Sequence, residues 1–267
     1  MEIVKSVEAF SNVDGRFRFD HLIVIVRQNN AFYLAKCKDR KPQPLSELYD
    51  MQRLETEDRG PRVESTWTIL PGLPAHDYYV KTPNLFAYGG SFDIEQQILR
   101  EVKTCEVLRK NPHPNIATYY GCRATNGRVS GIYFKRYTST LLEKVNPQNL
   151  NKSAFLYSGR PLVNDTIKAC LSGIRAGIRH LHSLGIIHND ITPSNIMFDK
   201  DNTPVVTDFD SCRQVGESLH DTDTKRTHGW HAPEVKTASE QNDLDAFAEL
   251  RTWLIGLSAD DFLFKKG

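Results

Sequence analysis

Long apolar runs are missing from this chain. The longest strongly apolar stretch, Leu22 to Val26, is far too short to cross a bilayer. No basic segment followed by an apolar run opens the sequence at Met1-Glu2, so no signal peptide is expected. A surplus of one charge sign is missing too. Lys+Arg 34 against Asp+Glu 33 leave a net charge of +1, which offers no electrostatic case for nucleic acid or an anionic membrane as partner. The five cysteines (37, 105, 122, 170 and 212) show no CxxC spacing, which argues against a zinc site or a disulfide framework. Cys105 and Cys170 fall on apolar helix faces, where a thiol behaves as a small hydrophobe. The histidines show no HxxxH-like metal spacing, and there is no internal repeat or low-complexity segment. These absences lead us to expect an intracellular, cytoplasmic protein, a nuclear location also being open. Its 267 residues suffice for one large domain or two lobes around a cleft.

Residues 1–65 are the least legible part, read as an N-terminal extension. His21–Arg27 and Ala31–Lys36 read as two strands joined at Gln28-Asn29-Asn30, a hairpin signal. The charged, proline-containing segment 39–62 reads as a surface loop or short helix. Trp67–Leu70 and Tyr78–Lys81 read as strands paired around Pro71-Gly72-Leu73-Pro74. Gly89-Gly90-Ser91 leads into a helix with Ser91 as N-cap, carrying Ile98, Val102, Cys105 and Leu108 at helical spacing and ended by Pro112 and Pro114. Strands follow at Ile116–Tyr120 and Gly131–Phe134, then a connector at Lys135–Tyr137. The polar segment 146–164 reads as a surface loop. Ile167, Leu171, Ile174, Ile178 and Leu181 mark the next helix, with Gly173 and Gly177 allowing close packing. Ile186-Ile187, Ile196–Phe198 and Pro204–Thr207 read as short strands. Leu244, Phe247, Leu250, Trp253, Leu254 and Leu257 mark a last helix. The expected class is α+β, β-rich in the N-terminal half and α-rich in the C-terminal half.

Chemistry concentrates in His188-Asn189-Asp190, Asn195 and Asp208-Phe209-Asp210. Two carboxylates and a carboxamide sit on turns between short apolar strands. Phosphoryl transfer needs such a set: one carboxylate to orient the attacking hydroxyl, and oxygen ligands to hold Mg²⁺ against nucleotide phosphates. In order and spacing, Asp190, Asn195 and Asp208 resemble the catalytic loop and metal-binding motif of the protein kinase family. Ordinary Asp/Asn turn residues are the bland alternative. It does not account for three matches at fixed spacing with further motifs on either side.

The resemblance covers roughly residues 67–257 and implies a two-lobed kinase-like fold, with an N-lobe and hinge over 66–137 and a C-lobe over 138–267. It implies that Asp190 accepts or orients the substrate hydroxyl proton and that Asn195 and Asp208 ligate Mg²⁺. Lys81 would contact the α- and β-phosphates of ATP, with Glu101, twenty residues on, as its helix partner and Glu106 as the rival for that place. Phe134 would guard the back of the adenine pocket, with Lys135 and Tyr137 on the connector beside it. His113-Pro114-Asn115-Ile116 resembles the family's turn into the strand behind the nucleotide. Arg226 to Glu234 resembles the end of an activation segment, with Thr227 where Ser/Thr kinases keep a threonine. Asp243 aligns with a buried aspartate that anchors the catalytic loop.

Several positions depart from the pattern. No glycine-rich GxGxxG loop precedes Lys81, Asn189 replaces an arginine, Thr192 replaces a lysine and Asp210 replaces a glycine. The C-lobe is expected to be truncated after the Trp253 helix, leaving an apolar face for a protein partner. Three functions follow from the resemblance: an ATP- and Mg²⁺-dependent Ser/Thr protein kinase acting on a protein substrate, a pseudokinase serving as a nucleotide-binding or scaffolding module, and a small-molecule phosphotransferase. Asp210 favours the last, Thr227 and Ala232-Pro233-Glu234 speak against it, and Thr192 with the missing glycine loop favours the second.

Overall fold

A computed structural model describes residues 1–14, 16–29, 31–41, 47–56, 59–71, 78–89, 93–220 and 226–264. The expected N-cap Ser91, the turn glycine Gly72 and the hairpin residue Asn30 lie outside them. The chain divides into two compact units, residues 1–60 with 82–94 and residues 61–81 with 95–267. Among the described residues no helix is long and apolar enough to cross a membrane.

The first unit is an antiparallel sheet of β1 (Glu2–Val13), β2 (Arg16–Gln28), β3 (Ala31–Cys37) and β4 (Leu48–Leu54), in that order. Leu22, Val24 and Val26 alternate along β2, so their side chains share one face and pack with Ala35 and Cys37 in a buried cluster. β2 and β3 form the hairpin, with Arg27 opposite Phe32. The loop or helix expected over 39–62 is corrected, since that segment contains β4. An edge strand keeps one side solvated and can carry charge, which hides its alternation in the sequence. Lys36 Nζ donates across the strands to Asp50 Oδ2 at 2.9 Å.

The second unit contains β5 (Tyr78–Lys81), helix α1 (Ile94–Lys110) from Glu95 onward, β6 (Tyr119–Thr125) and β7 (Arg128–Lys135). The three strands form an antiparallel sheet in the order β5-β7-β6. Thr68–Leu70 runs along the far side of β6: Cys122 N donates to Thr68 O at 2.7 Å, and Leu70 N to Cys122 O at 3.0 Å. The expected pairing of 67–70 with 78–81 is therefore wrong, because β6 and β7 lie between them. Short apolar segments joined by a turn-like sequence have no unique partner, and here the third dimension chose it. Ile98, Val102, Cys105 and Leu108 form the buried stripe of α1, and Glu101 lies within it.

The chain continues through β8 (Ser139–Thr140), α2 (Leu141–Val145), α3 (Lys152–Tyr157), α4 (Asp165–Ser183), β9 (Ile186–Ile187), β10 (Ile196–Phe198), β11 (Pro204–Val206), β12 (Arg213–Gln214) and α5 (Glu240–Ile255). Helix α3 corrects the loop reading of 146–164. Asn151 caps it, accepting from Ala154 N at 2.9 Å, and Phe155 stacks on Trp253 with ring centroids 4.2 Å apart.

Asn164 caps α4, accepting from Ile167 N at 3.0 Å. Gly177 lets α4 approach closely: a methyl there would lie 2.6 Å from the Asn115 carbonyl oxygen. Helix α5 buries Ala246, Leu250, Trp253 and Leu254 together with Asp243 and Glu249, while Leu244 is 38% exposed and Leu257, beyond the helix end, is 94% exposed. The apolar stripe expected there is thus rotated. The face of α5 is fixed by two buried carboxylates as well as by apolar side chains. The result is the mixed α+β arrangement expected, β-rich first and helical later.

Candidate active site

Strand β5 delivers Lys81 opposite Ile132 of β7. Its ammonium donates to Glu101 Oε1 at 2.7 Å and to Asp208 Oδ1, and it lies 3.9 Å from Asp210 Oδ2. Burial alone would lower this lysine, but Glu101, Asp208 and Asp210 outweigh it and hold the ammonium well above the usual lysine value. Burial pushes the Glu101 carboxyl up to about 7, although Lys81 pulls the other way. Glu106 goes elsewhere: its carboxylate accepts from Thr68 N at 2.7 Å and from Tyr119 Oη at 2.8 Å. The fifth residue after Glu101 faces a different part of the helix surface, so the two acids cannot serve one lysine.

Asp208 stands in the left-handed backbone region (φ 66°) at the head of a 3₁₀ turn, Phe209–Ser211. Aspartate tolerates that region better than most side chains. Phe209 is buried, its ring centroid 6.3 Å from Phe134 and 6.0 Å from His188. The His188 ring spans two loops. Nε2 donates to Thr207 O at 2.9 Å, which leaves Nδ1 to accept from Asp190 N at 3.2 Å.

Asp190 is held from two sides. Oδ1 accepts from Thr227 N at 2.8 Å, while Oδ2 accepts from Thr227 Oγ1 at 3.1 Å and from Asn195 Nδ2 at 2.8 Å. Burial raises the Asp190 carboxyl above the ordinary aspartate value against the pull of Thr227, His188 and Asn195. Because Asn195 donates through its nitrogen, its Oδ1 remains the oxygen available to a cation.

Beneath this loop, Asp243 of α5 accepts from His188 N at 2.8 Å, Asn189 N at 2.7 Å and His182 Nε2 at 2.9 Å. Asn189 also occupies the left-handed region (φ 64°). Its amide donates to Ser211 O at 3.3 Å and accepts from Asn242 Nδ2 at 3.0 Å. Thr192 is buried, and its hydroxyl has no hydrogen-bond partner among the described residues.

Lys81, Asn195 and Asp208 share a cavity of about 360 Å³ with Phe134, Lys135 and Tyr137. Tyr137 Oη accepts from Thr118 N at 2.9 Å, and Lys135 Nζ sits 3.4 Å from Asp199 Oδ2. All of these second-unit residues come together, and Glu101 closes onto them through Lys81. Asp190 joins through Asn195. Sequence reasoning missed Tyr79 and Met197, which also line the cavity. Each lies two residues from a named strand or loop residue, and that alternation could have found them. It also missed Gln97, which donates to Asp210 Oδ2 at 2.9 Å.

The donors converging here are hard oxygens, the kind Mg²⁺ selects. Among the described residues no group of three or more His, Cys, Asp and Glu is arranged to hold a metal. One or two protein oxygens completed by phosphate and water are nevertheless the usual way to bind Mg²⁺, so Asn195 and Asp208 fit that ion. The cavity, lined by Tyr79, Phe134 and Tyr137 with Lys81 bonded to Asp208, likewise fits a nucleoside triphosphate.

The family model for the protein kinase domain matches residues 85–259. Myosin-IIIa of Mus musculus is 28% identical over 170 residues, 62% of this chain and 10% of that protein. Serine/threonine-protein kinase Tao of Drosophila melanogaster is 28% identical over 171 residues, 64% of this chain and 15% of the relative. Serine/threonine-protein kinase TAO3 of Homo sapiens is 27% identical over 194 residues, 72% and 20% of the two chains. The chain spans between a tenth and a fifth of the length of these relatives.

Proposed function

The chain belongs to the protein kinase domain family, and from that premise we propose that it is an ATP- and Mg²⁺-dependent Ser/Thr kinase, active inside the cell on a protein hydroxyl. The observation that carries this reading is the Lys81 ammonium, bonded at once to Glu101 and Asp208 in the cavity that also holds Asn195. The same proposal assigns Asn195 Oδ1 and Asp208 to the Mg²⁺, which when bound neutralises charge on the triphosphate oxygens.

Lys81 presents a fixed positive charge to the α- and β-phosphates, and Glu101 keeps it from wandering. Phe134 lines the cavity together with Lys135 to Tyr137, the residues that would receive adenine. Asp190 would receive the substrate hydroxyl at its carboxylate and take the proton as the oxygen attacks. Asn195 and Thr227 hold the Asp190 carboxylate in one orientation, so that little reorganisation remains at the moment of transfer.

With ATP and Mg²⁺, the purified chain is expected to label a generic protein substrate or itself, and Asp190→Ala to lose at least about a hundredfold in rate. Equal background from both proteins ends the enzymatic reading. A second reading, as a binding module, is favoured by the buried Thr192 hydroxyl that stands in place of a charged lysine. Nucleotide raises the melting temperature of any form that binds it. A shift with ATP·Mg²⁺ but no transfer would establish that module, and phosphorylation of metabolites with peptides untouched would point to a small-molecule phosphotransferase.

A further inference from the structure

We propose that Asp210 is a positioning residue, whose carboxylate ties the loop bearing Asp208 to helix α1 through Gln97 and so keeps Glu101 against Lys81. The proposal rests on the kinase reading of this site. Both Asp210 oxygens are committed: Oδ2 accepts from Gln97 Nε2 at 2.9 Å, and Oδ1 from Ser211 Oγ at 3.3 Å. Its oxygens thus reach the helix and Ser211, with Oδ2 also 3.9 Å from the Lys81 ammonium.

Gln97 and Glu101 are one turn apart on α1, so their side chains neighbour each other on the same face. Fixing Gln97 therefore fixes Glu101. The tie involves an ionised acceptor, and such hydrogen bonds are roughly twice as strong as neutral ones. Its side chain is only 14% exposed, which limits competition from water.

The other end of the turn is held as well. Asn242 of α5 donates to Asn189 Oδ1 at 3.0 Å, and Asn189 Nδ2 donates to Ser211 O at 3.3 Å. A continuous line of hydrogen bonds thus runs from α5 through Asn189 and the Phe209–Ser211 turn to α1. Asn189 and Asp210 are two of the positions where this chain departs from the family pattern, and the line passes through both. Between Asn242 and Gln97 the line uses Asn189, Ser211 and Asp210, and none of the residues from Arg226 to Glu234.

The test is a double-mutant cycle in the full chain, using Asp210→Ala, Gln97→Ala and the double variant. Each single change should lower kcat by about tenfold with the KM for peptide nearly unchanged, the size expected for one hydrogen bond to a charged group. The double variant should be no worse than Asp210→Ala alone, because Gln97→Ala then removes nothing that Asp210→Ala has left. Asp210→Asn, which keeps an acceptor for Gln97, should recover most of the rate. Deuterium exchange across α1 should rise equally in the two alanine variants.

Rate losses that multiply in the double variant would overturn the proposal, as would unchanged exchange in α1. If the wild type transfers no phosphate, the kinase reading fails by itself, and the exchange cycle still decides the tie.

Discussion

Asp190 carries a carboxyl raised by burial, and its ionised form is the one that accepts a proton. Activity should therefore fall as pH drops through that raised value, placing the acid limb of the kcat/KM profile above the range of an ordinary aspartate. Thr227→Val removes one hydrogen bond to the charged form, so the limb should move to still higher pH. A limb unchanged between the two proteins would show that another group controls it.

Glu101 titrates in the folded chain near about 7 against an ordinary value of 4.5. A folded value raised in this way gives stability at low pH that is lost as pH climbs between the two. In Lys81→Met the opposing charge is gone, so the melting temperature should drop more steeply than in wild type between about pH 5 and pH 8.

Helices and strands hold these side chains through a few buried contacts. Asp243 supplies acceptors to three donors from α4 and the catalytic loop. Asp243→Ala strands all three in a dry environment, and chemical denaturation should report a loss of about 3 kcal/mol or more. Asp243→Asn keeps one acceptor and should cost less. Gly177 brings α4 against the Asn115 carbonyl and against Val206 of β11. Gly177→Ala should destabilise by about 1–3 kcal/mol because the clash is with backbone, which cannot rotate aside. A neutral or stabilising result would mean that α4 is free to shift.

Taken whole, the chain keeps its candidate site within one of its two units: residues 78–81, α1 from Glu95 onward, and the loops around Asp190 and Asp208 all belong to the second. ATP with Mg²⁺ should therefore slow amide exchange in β5, α1 and the Thr207–Ser211 segment, while the central strands β2 and β3 of the first unit keep their rates. Equal protection in both units would place the bound nucleotide elsewhere.

The α+β class and the helices α1 and α4 were legible because a 3.6-residue apolar period is written in the chain itself, whereas α5 was legible as a helix but not in the face it buries. The sequence also determined which residues are candidates for chemistry, since carboxylates and carboxamides on turns at fixed spacing form a local pattern. Strand partnership was decided only by tertiary structure: Thr68–Leu70 met β6, and the charged edge strand β4 joined a sheet that its composition concealed. Which acid reaches Lys81, and which side chain reaches Asp210, likewise depended on tertiary placement. The reason is physical: periodicity records which face of an element is apolar, whereas a hydrogen bond or ion pair depends on which distant element arrives opposite that face.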